Sequence, residues 1–289
     1  MPRQSVRIGD LGPWTLDHKP ETPKPETIVH LKLTLEYDGT NYHGWQLQKN
    51  ATTVQGALEA VLAKFFGEPI RARVAGRTDT GVHALGQVVS FKSEKVKELH
   101  ELQRALNALL PRDIVVRHVE PVPDHFNPRR DALSRTYRYQ LWHHPWPSAL
   151  WARYSWHVWV PLDQQAMNQA AAVLVGDHDF SSFQGADWVE HNPHRTMLRS
   201  TIREEGDFLI YDVEARSFLR HMVRNIVGTL VDVGRGALSV EGFAEIFAAR
   251  DRTRAGRNAP PQGLFLVKVT YPEGPGTEDW GPRPALRTV

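Results

Sequence analysis

The stretch Gly76-Arg77-Thr78-Asp79-Thr80-Gly81-Val82-His83-Ala84 sets a single carboxylate between an arginine and two glycines in a short polar turn. Residues 71–75 before it can be extended, and residues 87–91 after it return to a β-rich composition. The turn is therefore predicted to lie between two strands, a rigid support of the kind on which functional residues are often carried. Asp79 is the candidate for the residue that performs chemistry.

Two other interpretations of this turn have to be weighed. The spacing of Gly76 and Gly81 resembles that of a phosphate-binding loop, but such a loop continues with Lys and then Ser or Thr, and here Val82 and His83 follow. The pattern therefore does not predict nucleoside triphosphate binding. For an isolated turn, the simpler explanation is that Asp79 caps local N–H groups while the glycines take positive φ. The rest of the chain decides against that simpler explanation.

Several further segments share one order along the chain, from about Leu31 to Tyr271. They are Tyr37-Asp38-Gly39-Thr40-Asn41-Tyr42-His43-Gly44-Trp45-Gln46, Thr53-Val54-Gln55-Gly56, Tyr137-Arg138-Tyr139, His178-Asp179-Phe180-Ser181-Ser182-Phe183, His221-Met222-Val223-Arg224-Asn225-Ile226-Val227-Gly228-Thr229-Leu230 and Gly263-Leu264. With the Asp79 turn, they resemble the TruA family of tRNA pseudouridine synthases, whose hallmark is Gly-Arg-Thr-Asp, a small residue and Gly-Val-His-Ala. So many matches in order make the resemblance highly specific.

The resemblance implies an α+β pseudouridine synthase fold. Two similar ferredoxin-like halves would share a mixed, largely antiparallel sheet, with helices on one face and an RNA-binding cleft between the halves. It further implies isomerisation of uridine to pseudouridine in the anticodon stem-loop of tRNA, at tRNA positions 38 to 40, without a cofactor and usually by a homodimer.

The resemblance also implies roles for individual residues. Asp79 would act as the nucleophile or as a charge stabiliser at C1′ of the uridine. Arg224 would be its cationic partner, since a nearby cation favours the charged form of a carboxylate in a dry pocket. Tyr137 would stack on the target base and take part in proton movement, and Leu264 would form part of the apolar wall of the pocket.

Arginines are the expected RNA contacts. Arg77, next to the candidate nucleophile, would fill the gap left by an extruded uridine. The chain departs from the family pattern at Asn127-Pro128-Arg129, where an acidic residue or His, Ala and Arg are usual. It departs again at Arg220, where Tyr or His is common. Arg129 and Arg220 are therefore the less certain members of the predicted RNA-binding set.

Composition agrees with this interpretation but would not have suggested it. The 35 Lys and Arg against 33 Asp and Glu give a net charge of +2, too small by itself to indicate a nucleic-acid partner. The arginines form local clusters, and a guanidinium suits phosphate contacts and stacking on bases. For any one cluster, solvated surface charge is an equally simple explanation.

Other classes of protein find no support in the sequence. There is no cysteine, and none of the 14 histidines lies in a His-Glu-x-x-His pattern, so no metal site is predicted. No apolar run approaches the length of a membrane span and no signal-peptide core is present, which predicts a cytoplasmic protein. Two alternatives remain open: a non-catalytic RNA-binding or RNA-folding protein, which gives no reason for Asp79, and a synthase of the same fold that modifies another RNA site.

Local patterns predict the division of the chain. Residues 1–28 read as a flexible, proline-rich extension, 29–125 as the N-terminal half, 126–271 as the C-terminal half and 272–289 as a loose tail. The pattern predicts the order strand, helix, strand, helix, strand in the first half and its recurrence in the second. The first helix is predicted to be capped by Thr52, with Phe65 on its apolar face and Gly67 as its end. A second helix is predicted from about Ser93 to Leu110. In the second half, Asp163 and Ser217 are the predicted N-caps of two helices, a shorter helix is predicted from Ser239 to Arg250, and Gly206 is the predicted centre of a hairpin.

Overall fold

A computed structural model describes residues 28–94, 98–186 and 191–272. The predicted extension and tail lie outside these ranges, apart from Ile28 and Pro272. Each range alternates strands and helices. The strands are β1 (Val29–Tyr37), β2 (Arg73–Val74), β3 (His83–Ser93), β4 (Ile114–Pro121), β5 (Ser134–Trp142), β6 (Trp156–His157), β7 (Gly176–Asp179), β8 (His194–Glu205), β9 (Phe208–Ala215) and β10 (Leu264–Thr270). The helices are α1 (Val54–Phe66), α2 (Leu99–Leu109), α3 (Gln164–Ala172), α4 (Met222–Gly234) and α5 (Val240–Ala249).

One sheet runs through both halves, in the order β4-β1-β3-β10-β5-β9-β8-β7, with β2 beside β3 and β6 beside β5. Neighbouring strands are antiparallel except β3 with β10 and β5 with β6. The last strand, β10, therefore inserts between the halves, where Leu266 pairs with Ala84 of β3 and with Tyr137 of β5. The predicted α+β fold with a mixed, largely antiparallel sheet is confirmed. The boundary between residues 125 and 126 stays a prediction.

The register places one continuous apolar face along the whole sheet. Tyr37 pairs with Ala84, Ala84 with Leu266, Leu266 with Tyr137, and Tyr137 with Val213, so these side chains share a face. The five helices bury their apolar sides in the same core. Because Tyr137 lies on the helix-covered face, functional groups on loops and helix ends of both halves can converge on it.

Several element ends form where local chemistry predicts them. Asp163 accepts from Ala166 N at the start of α3, and Ser239 accepts from Gly242 N at the start of α5. Gly67 ends α1 with a φ of 73°, and Gly206 turns the β8–β9 hairpin with a φ of 60°.

Two predicted helix starts are wrong. The cap of α1 is Thr53, which accepts from Gly56 N, and Thr52 lies one residue too early. Helix α4 begins four residues later than the predicted cap Ser217, because His221 takes a left-handed conformation and occupies the N-cap position. This late start brings His221 and Arg224 together at the exposed end of an otherwise buried helix.

Other local differences concern α1 and α2. Phe65 was expected on the buried side of α1, but Phe65 is exposed and Phe66 is buried. The predicted helix from about Ser93 begins only at Leu99, since Ser93 is the last residue of β3 and residues 95–97 lie outside the described ranges. None of the helices in the described residues is long and apolar enough to cross a membrane.

Candidate active site

The catalytic-loop segment, residues 75–82, connects β2 with β3 and is fastened to the segment that follows β1. Trp45 N donates to Thr78 O at 3.0 Å, and Gly81 N donates to Tyr42 O at 3.3 Å. Within the loop, Val82 N donates to Asp79 O at 3.1 Å. The loop is thus predicted to be rigid, since its backbone is bonded both internally and to a neighbouring segment.

Two glycines make this close approach possible. A Cβ on Gly39 would lie 2.0 Å from Val82 O, and a Cβ on Gly44 would lie 2.6 Å from Thr78 O. Gly44 also has a φ of 80°, which a residue with a side chain rarely adopts. The sequence resemblance included both glycines, and the structure supplies their physical reason: they carry no side chain where the loop passes.

Asp79 and Arg224 come together although they are far apart in sequence. Arg224 Nη1 lies 3.4 Å from Asp79 Oδ2, and the side chains are only 15% and 30% exposed, respectively. The guanidinium is itself held in place, because Arg224 Nε donates to Ala259 O at 2.7 Å and Ala259 N donates back to Arg224 O at 3.0 Å. Arg224 is therefore a fixed positive charge beside the Asp79 carboxylate.

Tyr137 lies beside this pair on β5. Its ring is buried and meets Phe218 edge to face, with ring centroids 5.0 Å apart. Burial raises the pKa of the Tyr137 hydroxyl, and the negative charge of Asp79 acts in the same direction. The hydroxyl therefore stays protonated at neutral pH and is a hydrogen-bond donor there. Leu264, also buried, pairs in register with Tyr139, the next residue of β5 on the same face.

A buried arginine binds together the segments around the site. The Arg135 guanidinium is almost fully buried, and it donates to Ala75 O at 2.9 Å, Arg129 O at 2.6 Å and Arg216 O at 2.8 Å. Burial lowers its pKa, but the ordinary value is so high that it remains charged. These three carbonyls belong to the catalytic loop, the linker before β5 and the approach to α4.

The arginines around the site divide into three groups. The predicted RNA contacts Arg77, Arg129 and Arg220 are exposed. Arg135, which the sequence groups with other arginines near Tyr137, is a structural group in the interior. Arg138 lies on the sheet face opposite Tyr137, where Arg138 Nε pairs with Asp212 Oδ1 at 2.9 Å.

His83, the histidine of the Asp79 motif, is a neutral structural group. Its Nδ1 accepts from Gly39 N at 3.0 Å and its Nε2 lies 3.0 Å from Arg153 O. Because a backbone N–H can only donate, the contact with Gly39 requires an Nδ1 without a proton, whereas the Asp38 carboxylate 3.1 Å away favours the protonated ring. Burial is the larger effect and lowers the pKa of His83, which favours the neutral ring.

Sequence reasoning missed two residues of this region. His221, only part of a quoted motif, has its Nε2 3.6 Å from Asp79 Oδ2. Arg135 could have been identified as inward-facing, since it lies two residues before Tyr137 on the same strand face. Among the described residues, no group of three or more His, Asp or Glu side chains is arranged to hold a metal ion.

Comparison with known proteins identifies the class to which this fold and site belong. The sequence model of a family described as tRNA pseudouridine synthase matches residues 34–129 and 170–272. These ranges include Asp79 and Arg224, and they cover more than half of the chain.

Individual relatives agree with the family match. A tRNA pseudouridine synthase A of Geotalea uraniireducens is 43% identical over 241 residues, which cover 83% of this chain and 99% of the relative. The protein of the same name from Myxococcus xanthus is 45% identical over 249 residues, covering 86% and 94%. The chain therefore belongs to the tRNA pseudouridine synthase family. The predictions of this family and of an isomerase that acts on uridine are confirmed.

Proposed function

We propose that this protein converts uridine to pseudouridine in the anticodon arm of tRNA, at tRNA positions 38 to 40, with Asp79 as its reacting carboxylate. The observation that carries the proposal is the approach of Arg224 to Asp79 at 3.4 Å, beside the buried ring of Tyr137. These groups come from loop, helix and strand of different parts of the chain, and a structural ion pair would not need an aromatic platform next to it.

The reaction is an isomerisation and needs no external oxidant or reductant. The bond from C1′ to N1 breaks, the uracil turns within the site, and C1′ joins C5. The proton on C5 is then lost and N1 gains one, so that atoms and electrons balance. An ordinary glycosidase uses two carboxylates, one of which protonates the leaving group. Here one suffices, since the uracil is retained as a stabilised anion and water is excluded.

Each of four side chains has a distinct role in this scheme. Asp79 meets the electron-poor C1′, either by adding to it or by balancing its charge. Arg224 places a positive charge beside the carboxylate in the partly buried site. Tyr137 offers its ring to the base, and its protonated hydroxyl can donate to an oxygen of the uracil or pass on a proton. Leu264 contributes apolar wall next to β5.

The exposed arginines would contact the RNA. Arg77 follows Gly76 in the catalytic loop and would fill the gap left when a paired uridine is extruded. Arg129 and Arg220 flank the segments that Arg135 binds together, and they would contact phosphates. Affinity based on such contacts falls as salt concentration rises.

The decisive experiment maps pseudouridines in an unmodified tRNA transcript incubated with the purified protein, in comparison with its Asp79→Asn variant. We expect the wild type to modify tRNA positions 38 to 40. The variant should fold and bind tRNA but leave uridine unchanged, because an amide has no charge to offer C1′. Asp163→Asn is the matched control, since asparagine caps a helix as well as aspartate does. Turnover by Asp79→Asn would refute the catalytic assignment, and modification at other positions would refute the target.

We propose the oligomeric state and the cellular location of the protein from its family resemblance. We expect a homodimer, in which one tRNA touches both subunits, and a cytoplasmic location. Sedimentation of the purified protein with and without tRNA tests the first expectation, and fractionation of cells tests the second. A monomer that remains fully active at concentrations at which no dimer is detected would contradict the dimer proposal.

A further inference from the structure

His221 has an unusual backbone at the entrance to α4. Its φ of 61° and ψ of 2° lie in the left-handed region, and Arg250 is the only other non-glycine residue with a positive φ among the described residues. Such a conformation is unfavourable for a residue with a side chain and is found preferentially at functional sites. His221 is the N-cap, but its side chain makes no capping hydrogen bond. A capping role therefore does not explain the strain.

The ring of His221 is directed to the catalytic loop. Nε2 lies 3.6 Å from Asp79 Oδ2, the same oxygen that Arg224 Nη1 approaches at 3.4 Å. Residues three apart at the start of a helix share a side, which is why both reach one carboxylate. The recorded side-chain contacts of Asp79 within the described residues all go to Oδ2, and none goes to Oδ1.

The surrounding structure maintains the strained conformation. Leu219 is buried just before the helix, and the carbonyl oxygen of Arg216 accepts from Arg135. Just before the helix, Met222 N donates to Leu219 O at 3.2 Å, so the chain enters α4 through a short turn at residues 219–222. With this backbone, Nε2 of His221 comes close to Asp79.

We propose that His221 is a positioning residue, which together with Arg224 holds Oδ2 of Asp79 and thereby directs Oδ1 to C1′ of the bound uridine. This inference rests on the proposed role of Asp79. The distance of 3.6 Å is slightly beyond hydrogen-bond range. Catalytic contacts are often long in the free enzyme and shorten in the substrate complex. His221 therefore acts on the geometry of Asp79 and does not itself react.

The test separates the imidazole from the backbone conformation. His221→Gly removes the ring while retaining easy access to the left-handed region. We expect it to keep its thermal stability and its affinity for tRNA, while the single-turnover rate at saturating enzyme falls about tenfold to a hundredfold, as a slightly misplaced reacting group would predict. Added imidazole should restore part of that rate, which a purely structural role would not allow.

Arg250→Gly is the matched control, because it relieves the other left-handed residue at the end of α5. Its single-turnover rate should equal that of the wild type. If His221→Gly does not fold, His221→Asn decides, since asparagine also tolerates the left-handed region and is too short to replace the ring.

The outcomes distinguish this inference from the proposed function. A normal rate in the His221 variant, with an inactive Asp79→Asn variant, would overturn the role of His221 and leave that of Asp79 intact. A slow His221→Gly enzyme that imidazole does not rescue, and that has lost tRNA affinity to the same degree, would make His221 an RNA contact and also overturn the inference. An active Asp79→Asn variant would overturn the proposed role of Asp79, and with it the inference on His221.

Discussion

The guanidinium of Arg135 donates a hydrogen bond to the carbonyl oxygen of Ala75 at 2.9 Å, so that β5 is tied directly to the start of the catalytic loop. The two residues are 60 positions apart in the chain. The same side chain also binds the linker before β5 and the approach to α4. One buried cation thus connects the loop that carries Asp79 with the approach to the helix that carries Arg224.

Arg135→Lys should therefore destabilise the protein. A lysine retains the charge but not the planar fork that reaches three carbonyls, and buried acceptors would be left without a donor. We expect the free energy of unfolding to fall by about 2 to 4 kcal/mol, measured by denaturant titration. Arg138→Lys on the same strand is the control. Arg138 pairs with Asp212 on the opposite face of the sheet. Arg138→Lys should lower the free energy of unfolding by less than about 1 kcal/mol. If both substitutions lower the free energy of unfolding by the same amount, the three hydrogen bonds of Arg135 are not important for stability.

Gly44→Ala should displace the catalytic loop. The new Cβ would meet Thr78 O at 2.6 Å, in addition to the cost of a left-handed φ. Gly67→Ala is matched in φ but meets nothing within 4 Å, so it isolates the conformational cost of about 1 kcal/mol. We expect Gly44→Ala to lower the melting temperature more than Gly67→Ala and to reduce single-turnover rate as well. Full activity in a stable Gly44→Ala variant would mean that the loop can move without loss of function.

Tyr137→Phe separates stacking from proton transfer. The ring remains against Phe218, so tRNA affinity should stay near that of the wild type. If the hydroxyl moves a proton, the chemical step should slow by roughly a hundredfold or more. Tyr137→Leu should lose both affinity and rate, since stacking on an aromatic ring is worth about 1 to 3 kcal/mol. A near-normal single-turnover rate in the phenylalanine variant would mean that Tyr137 only stacks on the base and transfers no proton.

His83 should make stability depend on pH. Burial lowers the pKa of His83 in the folded state, so the unfolded chain takes up the proton first as pH falls. The contribution of neutral His83 to the free energy of unfolding is complete above about pH 6.5, the ordinary pKa of histidine. It is lost progressively as the pH falls below that value. The reason is that a protonated Nδ1 can no longer accept from Gly39 N. His83→Asn, whose side-chain oxygen can accept instead, should show a smaller loss of melting temperature between pH 8 and pH 5. If the melting temperatures of the wild type and of His83→Asn fall in parallel with pH, His83 is not the source of the pH dependence.

Much of the local structure followed from the sequence. The cap at Asp163, the helix that begins next to Ser239, and the turns at Gly67 and Gly206 depend on contacts within a few residues, and all four form as predicted. The Asp79 motif between strands and the family membership were likewise readable from ordered motifs. Short-range chemistry of this kind is carried by adjacent residues and needs no knowledge of distant ones.

Tertiary structure alone decided how the site is assembled. Local preference placed the start of α4 at Ser217, but Leu219 is buried, Met222 N donates to its carbonyl oxygen, and the helix has its N-cap at His221. Strand alternation already separates Arg135 from Arg138, but only the position of the core decides which of the two faces the interior. The hydrogen bond between Arg224 and Asp79 joins residues 145 positions apart. No local pattern encodes such a distance, because it exists only once the sheet has brought both halves together.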